Sequence, residues 1–361
     1  MASDPTLRRA ILALDSGGSK CEALLVRDDG TALAAARAQR AGISGRSPQI
    51  VGEAARAALN TRPIHELHLA AFEFFDPNEL GVRSSEPPKR HVLSEADGLF
   101  ALAGEDHGVA VIAGTGARAF GVNRAGRYLA LDGLGPYLGD SGGGYQVGVQ
   151  ALRAAARAES HPRHATALRE RVFDYCLRFL EGDGSAAAFP GRKVPPREAM
   201  SRLLALDASS KDYAFGSGRL RRLVNFSLAP HDRSVVAALA RIVAEEAERG
   251  DAVALRILEE SSRALADTVW DLVDLLGMHG ETYPLVAGGS LALHSRVYWK
   301  HFCAHLAEKT PFLKPVRAPW PPVVGNALVL LLQLDPQNAS RTRARLKETV
   351  RAFYSPTDPS P

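Results

Sequence analysis

Cysteine is scarce in this 361-residue chain: Cys21, Cys176 and Cys303 are the only three, and none belongs to a Cys-x-x-Cys pair or a cysteine/histidine cluster. That spacing supports neither a disulfide framework nor a structural zinc centre. Long apolar runs are missing too. No segment approaches the roughly 20 uninterrupted apolar residues of a membrane span, and the first residues lack the apolar stretch of a signal peptide, so a cytoplasmic location and no membrane partner are expected. Aromatic residues make up only 7%, and the basic surplus of +4 (pI near 9.0) is scattered over helical patterns rather than gathered into a stripe interleaved with aromatics. A nucleic-acid partner is therefore not expected. The densest basic run, Arg341–Lys347, reads as a solvated helix in a basic tail, 335–361. His91, His107, His161 and His164 show no metal-ligand spacing and read as surface residues.

The chain is longer than one core usually extends, and its 46% hydrophobic residues suffice for two, with a cleft expected between them. The most informative segment is Ile11–Lys20, where an apolar run ends in Asp15-Ser16-Gly17-Gly18-Ser19-Lys20 and resumes at Ala23–Val26. Such a strand, glycine turn and strand let backbone N–H groups and the Ser16 and Ser19 hydroxyls face phosphate oxygens. Asp15 at the strand end has the chemistry to hold Mg²⁺ through water. By itself, a strand ending this way is more often an ordinary hairpin.

The pattern recurs. Val109–Ala113 ends in Gly114-Thr115-Gly116-Ala117 before a strand from Arg118 to Val122, and Tyr283–Ala287 ends in Gly288-Gly289-Ser290 before a helix from Leu291 to Leu306. Thr115 with the Gly114 and Gly116 amides suits a γ-phosphate; Gly288 and Gly289 suit a base and ribose lying against bare backbone. Around these words, strands at 31–36 and 66–71 alternate with helices at 48–59 and 96–103, with a turn-rich stretch at 76–89, which implies an α/β unit. Beyond Asp140 the apolar spacing is helical over 148–158, 164–181, 196–206, 234–248 and 252–277.

Taken together, Leu14–Lys20, Ile112–Ala117, Gly133–Tyr145, Val286–Ser290 and Pro322–Leu328 resemble, in consistent order over residues 8 to 334, the N-acetylglucosamine kinase and BadF/BadG/BcrA/BcrD ATPase family of the actin-like sugar kinase superfamily. The resemblance implies a two-domain actin-like ATPase (ribonuclease H-like) α/β fold with ATP bound in the cleft between domains. It places an N-terminal domain at 1–115, a C-terminal domain with helical insertions at 116–320, and a helix at 322–334 returning to the first domain. It implies ATP and Mg²⁺ as cofactors and phosphorylation of an amino sugar, N-acetylglucosamine at the 6-hydroxyl first, with glucosamine or N-acetylmuramic acid as alternatives. A homodimer is compatible with it. Two other readings stay open: an ATPase that activates a partner enzyme, and a catalytically weakened sugar or nucleotide sensor.

By the same resemblance Ser16, Gly17, Gly18, Ser19 and Lys20, then Gly114, Thr115 and Gly116, hold phosphates, and Gly288, Gly289 and Ser290 hold adenosine. Asp97, aligned through Ala101–Gly104, is the expected base and substrate contact; aligned without gaps from Gly114, the acid is Glu95 instead. Either acid also suits a helix N-terminus. Asp140 is expected to bind substrate hydroxyls or complete the cation environment, although the family's Gly-Asp-Glu-Gly-Ser word reads Gly-Asp-Ser-Gly-Gly here, and Ser44, Gly45 and Arg46 stand where relatives present a sugar-binding Asn.

Overall fold

The computed structural model describes residues 7–17, 20–39, 48–71, 75–181, 218–229 and 231–357. Two five-stranded sheets carry the architecture. In the first, β1 (Leu7–Ser16), β2 (Lys20–Arg27), β3 (Ala32–Gln39), β4 (Ile64–Ala71) and β5 (Lys89–Val92) lie in the order β3-β2-β1-β4-β5. In the second, β6 (Gly108–Ala113), β7 (Ala117–Val122), β8 (Tyr128–Asp132), β9 (Tyr283–Gly288) and β10 (Leu313–Arg317) lie in the order β8-β7-β6-β9-β10. The two orders are the same permutation. In both, the first three strands pair antiparallel and the last two join parallel to the first. A duplicated topology explains why the glycine-turn pattern of the first hairpin returns at residue 114.

The central strand β1 is fully buried from Ala10 to Leu14, which matches its unbroken apolar run: both faces are covered. Helix α1 (Pro48–Leu59) covers one face, with Val51, Ala54, Ala55 and Ala58 at helical spacing in the same core as Leu12 and Leu25. On the opposite face lie α2 (Glu95–Ala103) and α11 (Pro322–Leu334). These two helices cross through small residues: a side chain at Gly325 would strike the backbone of Gly98, and one at Gly98 would meet Asn326 Oδ1 at 2.6 Å.

The second sheet is backed by α3 (Gly144–Ser160), α4 (Leu168–Leu180), α5 (Gly218–Leu228), α6 (Arg233–Ala237), α7 (Leu239–Glu248), α8 (Ala252–Leu276), α9 (Ser290–His294) and α10 (Arg296–Lys309). The 25-residue α8 starts where Asp251 accepts the Val253 and Ala254 N–H groups and stops at Gly277 in the left-handed conformation.

Several expectations need adjusting. The helix expected over 234–248 is two, meeting at Ala238, and that over 291–306 is broken at Ser295, whose side chain caps α10. Residues 196–206 lie outside the described set. Strands β5, β8 and β10 were not anticipated; they are short and largely exposed or half-buried, so their alternation carries little apolar signal. The basic tail is not merely a solvated helix. Helix α12 (Ala339–Thr349) docks on the first sheet through buried Leu346 and Thr342, and Thr349 Oγ1 accepts the Ala32 N–H at 2.9 Å. Its arginines lie along the rim, where Arg343 donates to the Ala101 carbonyl at 2.6 Å.

Candidate active site

The parallel register of β6 and β9 pairs Ile112 with Gly288, so both strands deliver their glycine turns to one edge of the second sheet. Gly289 has φ +87°, and a Cβ there would run into the Ala113 carbonyl, so only glycine allows the third turn to lie against the second. The helix entrance then closes over the second turn: Gly144 N–H donates to the Gly114 carbonyl and Tyr145 N–H to the Thr115 carbonyl, each at 2.8 Å.

Asp140 lies in that entrance. It is 6% exposed with φ +59°, and its carboxylate fills the space a side chain on Gly116 would need. Burial pushes its carboxyl above the usual range; Arg233, at 3.3 Å from Oδ2, and the Ala117 N–H pull the other way. Asp132, at φ +67°, organises the same loop by accepting N–H groups from Gly133 at 2.7 Å, Ser141 at 2.9 Å and Asp140. Between them the loop exposes Leu134, Tyr137 and Leu138.

In the first hairpin the Gly17 N–H donates to the Lys20 carbonyl at 2.9 Å, Ser16 is buried, and Asp15 sits half-buried at the end of β1 opposite Glu22. Buried Asn326 on α11 donates to the Leu14 carbonyl at 3.0 Å and so fixes the strand end beside Asp15. Lys20 pairs with Glu22 at 2.8 Å, and together with Arg317 it depresses the His294 imidazole, already lowered by burial. Lys20 therefore lies within electrostatic reach of His294 on α9.

The two acids of α2 face different ways. Asp97 Oδ2 accepts the Ser94 N–H at 2.8 Å in a reciprocal capping box, and its side chain lines a concavity with Val329 and Arg343. Glu95, two positions earlier and so roughly 200° around the helix, meets Arg118 of β7 at 3.1 Å. Arg118 also lies over the Phe120 ring and against Gly133, placing Glu95 on the side of the Asp132–Asp140 loop.

This arrangement has known counterparts. The sequence matches the BadF/BadG/BcrA/BcrD ATPase family over residues 12–329. The chain belongs to that family. It is 24% identical over 242 residues to an N-acetylmuramic acid/N-acetylglucosamine kinase of Clostridium acetobutylicum, an alignment covering 66% of this chain and 67% of the relative. It is 25% identical over 231 residues to an N-acetyl-D-glucosamine kinase of Dictyostelium discoideum, covering 63% of this chain and 60% of that protein. A Chromobacterium violaceum structure, provisionally assigned as an N-acetylglucosamine kinase, superposes with TM-score 0.56 at 19% identity, over 90% of this chain and 99% of its own. A Porphyromonas gingivalis structure with the same provisional assignment gives 0.50 at 14% identity, over 90% and 99%. The fold is thus the two-domain actin-like one.

Within this BadF-type ATPase the structure brings Gly114, Thr115, Gly116, Asp140, Gly288, Gly289 and Ser290 to one edge, with Ser16, Gly17, Lys20 and Asp15 on the other sheet. Gly18, Ser19 and Ser44 lie outside the described residues. Sequence reasoning passed over Arg118, Asp132, Arg233 and Asn326. The first three have partners 8 to 93 positions away, and no local pattern marks them. Asn326 stood in a motif already singled out, without a role.

Proposed function

We propose that this protein is an ATP-dependent kinase of an amino sugar, with N-acetylglucosamine at its 6-hydroxyl as the first acceptor and glucosamine and N-acetylmuramic acid as the alternatives. The observation carrying this reading is the meeting of the Gly114–Gly116 turn, the Gly288–Ser290 turn and the buried Asp140 carboxylate at one sheet edge, with the Asp15 hairpin supplied by a second sheet of identical strand order. The Clostridium and Dictyostelium relatives support it. The boundary expected at 115 moves back to between α2 and β6, because β6 is the central strand of the second sheet; the halves on either side of it would close about the α2–α11 crossing.

In this reading Ser16, Gly17, Gly18, Ser19 and Lys20 on one side and Gly114, Thr115 and Gly116 on the other hold the triphosphate, while Gly288, Gly289 and Ser290 lie along adenosine. A half-buried carboxylate at a strand end, beside a glycine turn, fits Mg²⁺ bound through water and phosphate; the ion would be held by Asp15 and neutralise β/γ-phosphate charge. Asp140 accepts a hydrogen bond from a sugar hydroxyl. The acceptor proton goes to Glu95 rather than Asp97, because Asp97 is committed to its own helix cap whereas Glu95 stands with Arg118 on the loop side. Positioning and charge supply most of the rate.

The test is ADP release from purified protein with Mg·ATP over a panel of N-acetylglucosamine, glucosamine, N-acetylmuramic acid, N-acetylmannosamine and glucose. Release that depends on one amino sugar supports the reading. Release independent of sugar points to a partner-activating ATPase, and ATP binding without turnover to a sensor; either would overturn it.

A further inference from the structure

A histidine pair remote in sequence from the glycine turns has no role in the reading above. His301 and His305 are four residues apart on α10, so they share one helix face, and their rings stack with centroids 6.3 Å apart. Glu259 of the neighbouring α8 completes the group: one ligand atom from each of the three lies within 4.8 Å of the others. His305 is only 6% exposed, and neither its Nδ1 nor its Nε2 has a hydrogen-bond partner. A buried imidazole with neither nitrogen hydrogen-bonded is costly, and a buried polar group in a native fold normally has a partner that accounts for it.

We propose that Glu259, His301 and His305 form a site for a divalent cation of the Zn²⁺ type that clamps α8 to α10. Two imidazoles and one carboxylate are the donors such borderline ions prefer, and three protein ligands leave one position for water. Glu308 Oε1 stands 3.7 Å from His305 Nδ1, where a carboxylate orients a metal-bound imidazole and leaves Nε2 as the ligand atom. Among the described residues Arg263 also faces the site, at 3.7 Å from Glu259 and 3.9 Å from Glu308; half exposed, it can swing to solvent. Metal–ligand bonds of about 2.0–2.1 Å put tetrahedral donors roughly 3.3 Å apart, so the partly exposed Glu259 and His301 side chains need to close in by up to about 1.5 Å.

The clamp has a consequence for the nucleotide edge. Ser261, two residues from Glu259, packs its carbonyl against Gly142, and Tyr298, one turn before His301, donates its hydroxyl to the Gly142 carbonyl at 2.9 Å. Both helices therefore support the loop that carries Asp140, and tying them together stiffens that support.

The experiment uses the full chain, stripped with chelator and then titrated with Zn²⁺, reading stoichiometry after gel filtration and melting temperature. The expected result is one Zn²⁺ per chain with a rise of several degrees. His301→Ala, at a half-buried position, should abolish both while leaving the metal-free melting temperature close to that of the parent. Glu259→Gln should weaken binding by more than about tenfold, and Glu260→Gln, on an exposed neighbour, should leave it unchanged. Sub-stoichiometric uptake, or uptake and stabilisation undiminished in both His301→Ala and Glu259→Gln, would overturn the proposal.

Discussion

Arg118 Nη1 lies 3.1 Å from Glu95 Oε2, joining β7 of the second sheet to the first turn of the helix that leaves the first. The pair crosses from one half of the molecule to the other, and its arginine also rests on Phe120 and Gly133. A guanidinium in that place holds a carboxylate in a fixed direction and presents positive charge toward the loop of Asp132 and Asp140. Arg118→Ala is expected to lower kcat/KM by about 10- to 100-fold. Arg118→Lys should recover only part, because an ammonium keeps the charge but not the planar fork. Steady-state kinetics with the preferred sugar checks this, and an unchanged kcat/KM in Arg118→Ala would remove the arginine from the site.

Gly116→Ala places a methyl group where the Asp140 carboxylate now lies, 2.6 Å from its Cγ. Asp140 is buried and held by its neighbours, so it cannot step aside without disturbing the loop. The expected outcome is loss of activity by at least about 100-fold with correct folding, seen as a native circular dichroism spectrum and weakened ATP binding.

The first sheet carries a pH-dependent brace. Glu66 on β4 binds Lys89, Arg9 at 2.7 Å and His68 at 3.1 Å, and these partners, Lys89 first, hold its carboxyl down at about 2. A depressed acid stabilises the fold where it is ionised in both states, above its ordinary value near 4.5, and loses that contribution as pH falls toward 2. Glu66→Gln should therefore melt below the parent at pH 7, with the gap closing as pH drops from 4.5. Thermal melts between pH 2.5 and 7 read this directly; a gap independent of pH would contradict it.

The docked tail predicts a stability effect far from the nucleotide edge. Leu346 is 1% exposed in the core shared with Val324 and Leu328. Leu346→Ala should cost about 2–5 kcal/mol, visible as a lowered denaturant midpoint. A change below about 1 kcal/mol would mean that the tail lies loosely on the sheet.

What the sequence made readable was whatever repeats locally. The buried strands β1 and β6, each running into a glycine turn, and helix Pro322–Leu334 are visible because period and punctuation lie within a few residues. Asp97 and Glu95 show the limit: both acids suit the first turn of a helix, and only packing against Arg118 and Ser94 decides which face each one takes. The tail failed for a related reason, since its arginines outnumber the single leucine that docks it. The break at Ala238 has neither glycine nor proline to announce it. Glu259 and His301 come together only because α8 and α10 pack side by side.

The central claim is that the carboxylate serving phosphoryl transfer is Glu95, with Asp97 a helix cap. The measurement that tests it is kcat for Glu95→Gln and Asp97→Asn side by side, on the amino sugar that supports turnover, with melting temperatures for both. Glu95→Gln should fall by about 10²- to 10⁴-fold in kcat and melt near the parent. Asp97→Asn should retain most activity and lose about 1 kcal/mol of stability. The reverse pattern, with activity collapsing in Asp97→Asn and surviving in Glu95→Gln, would contradict the account.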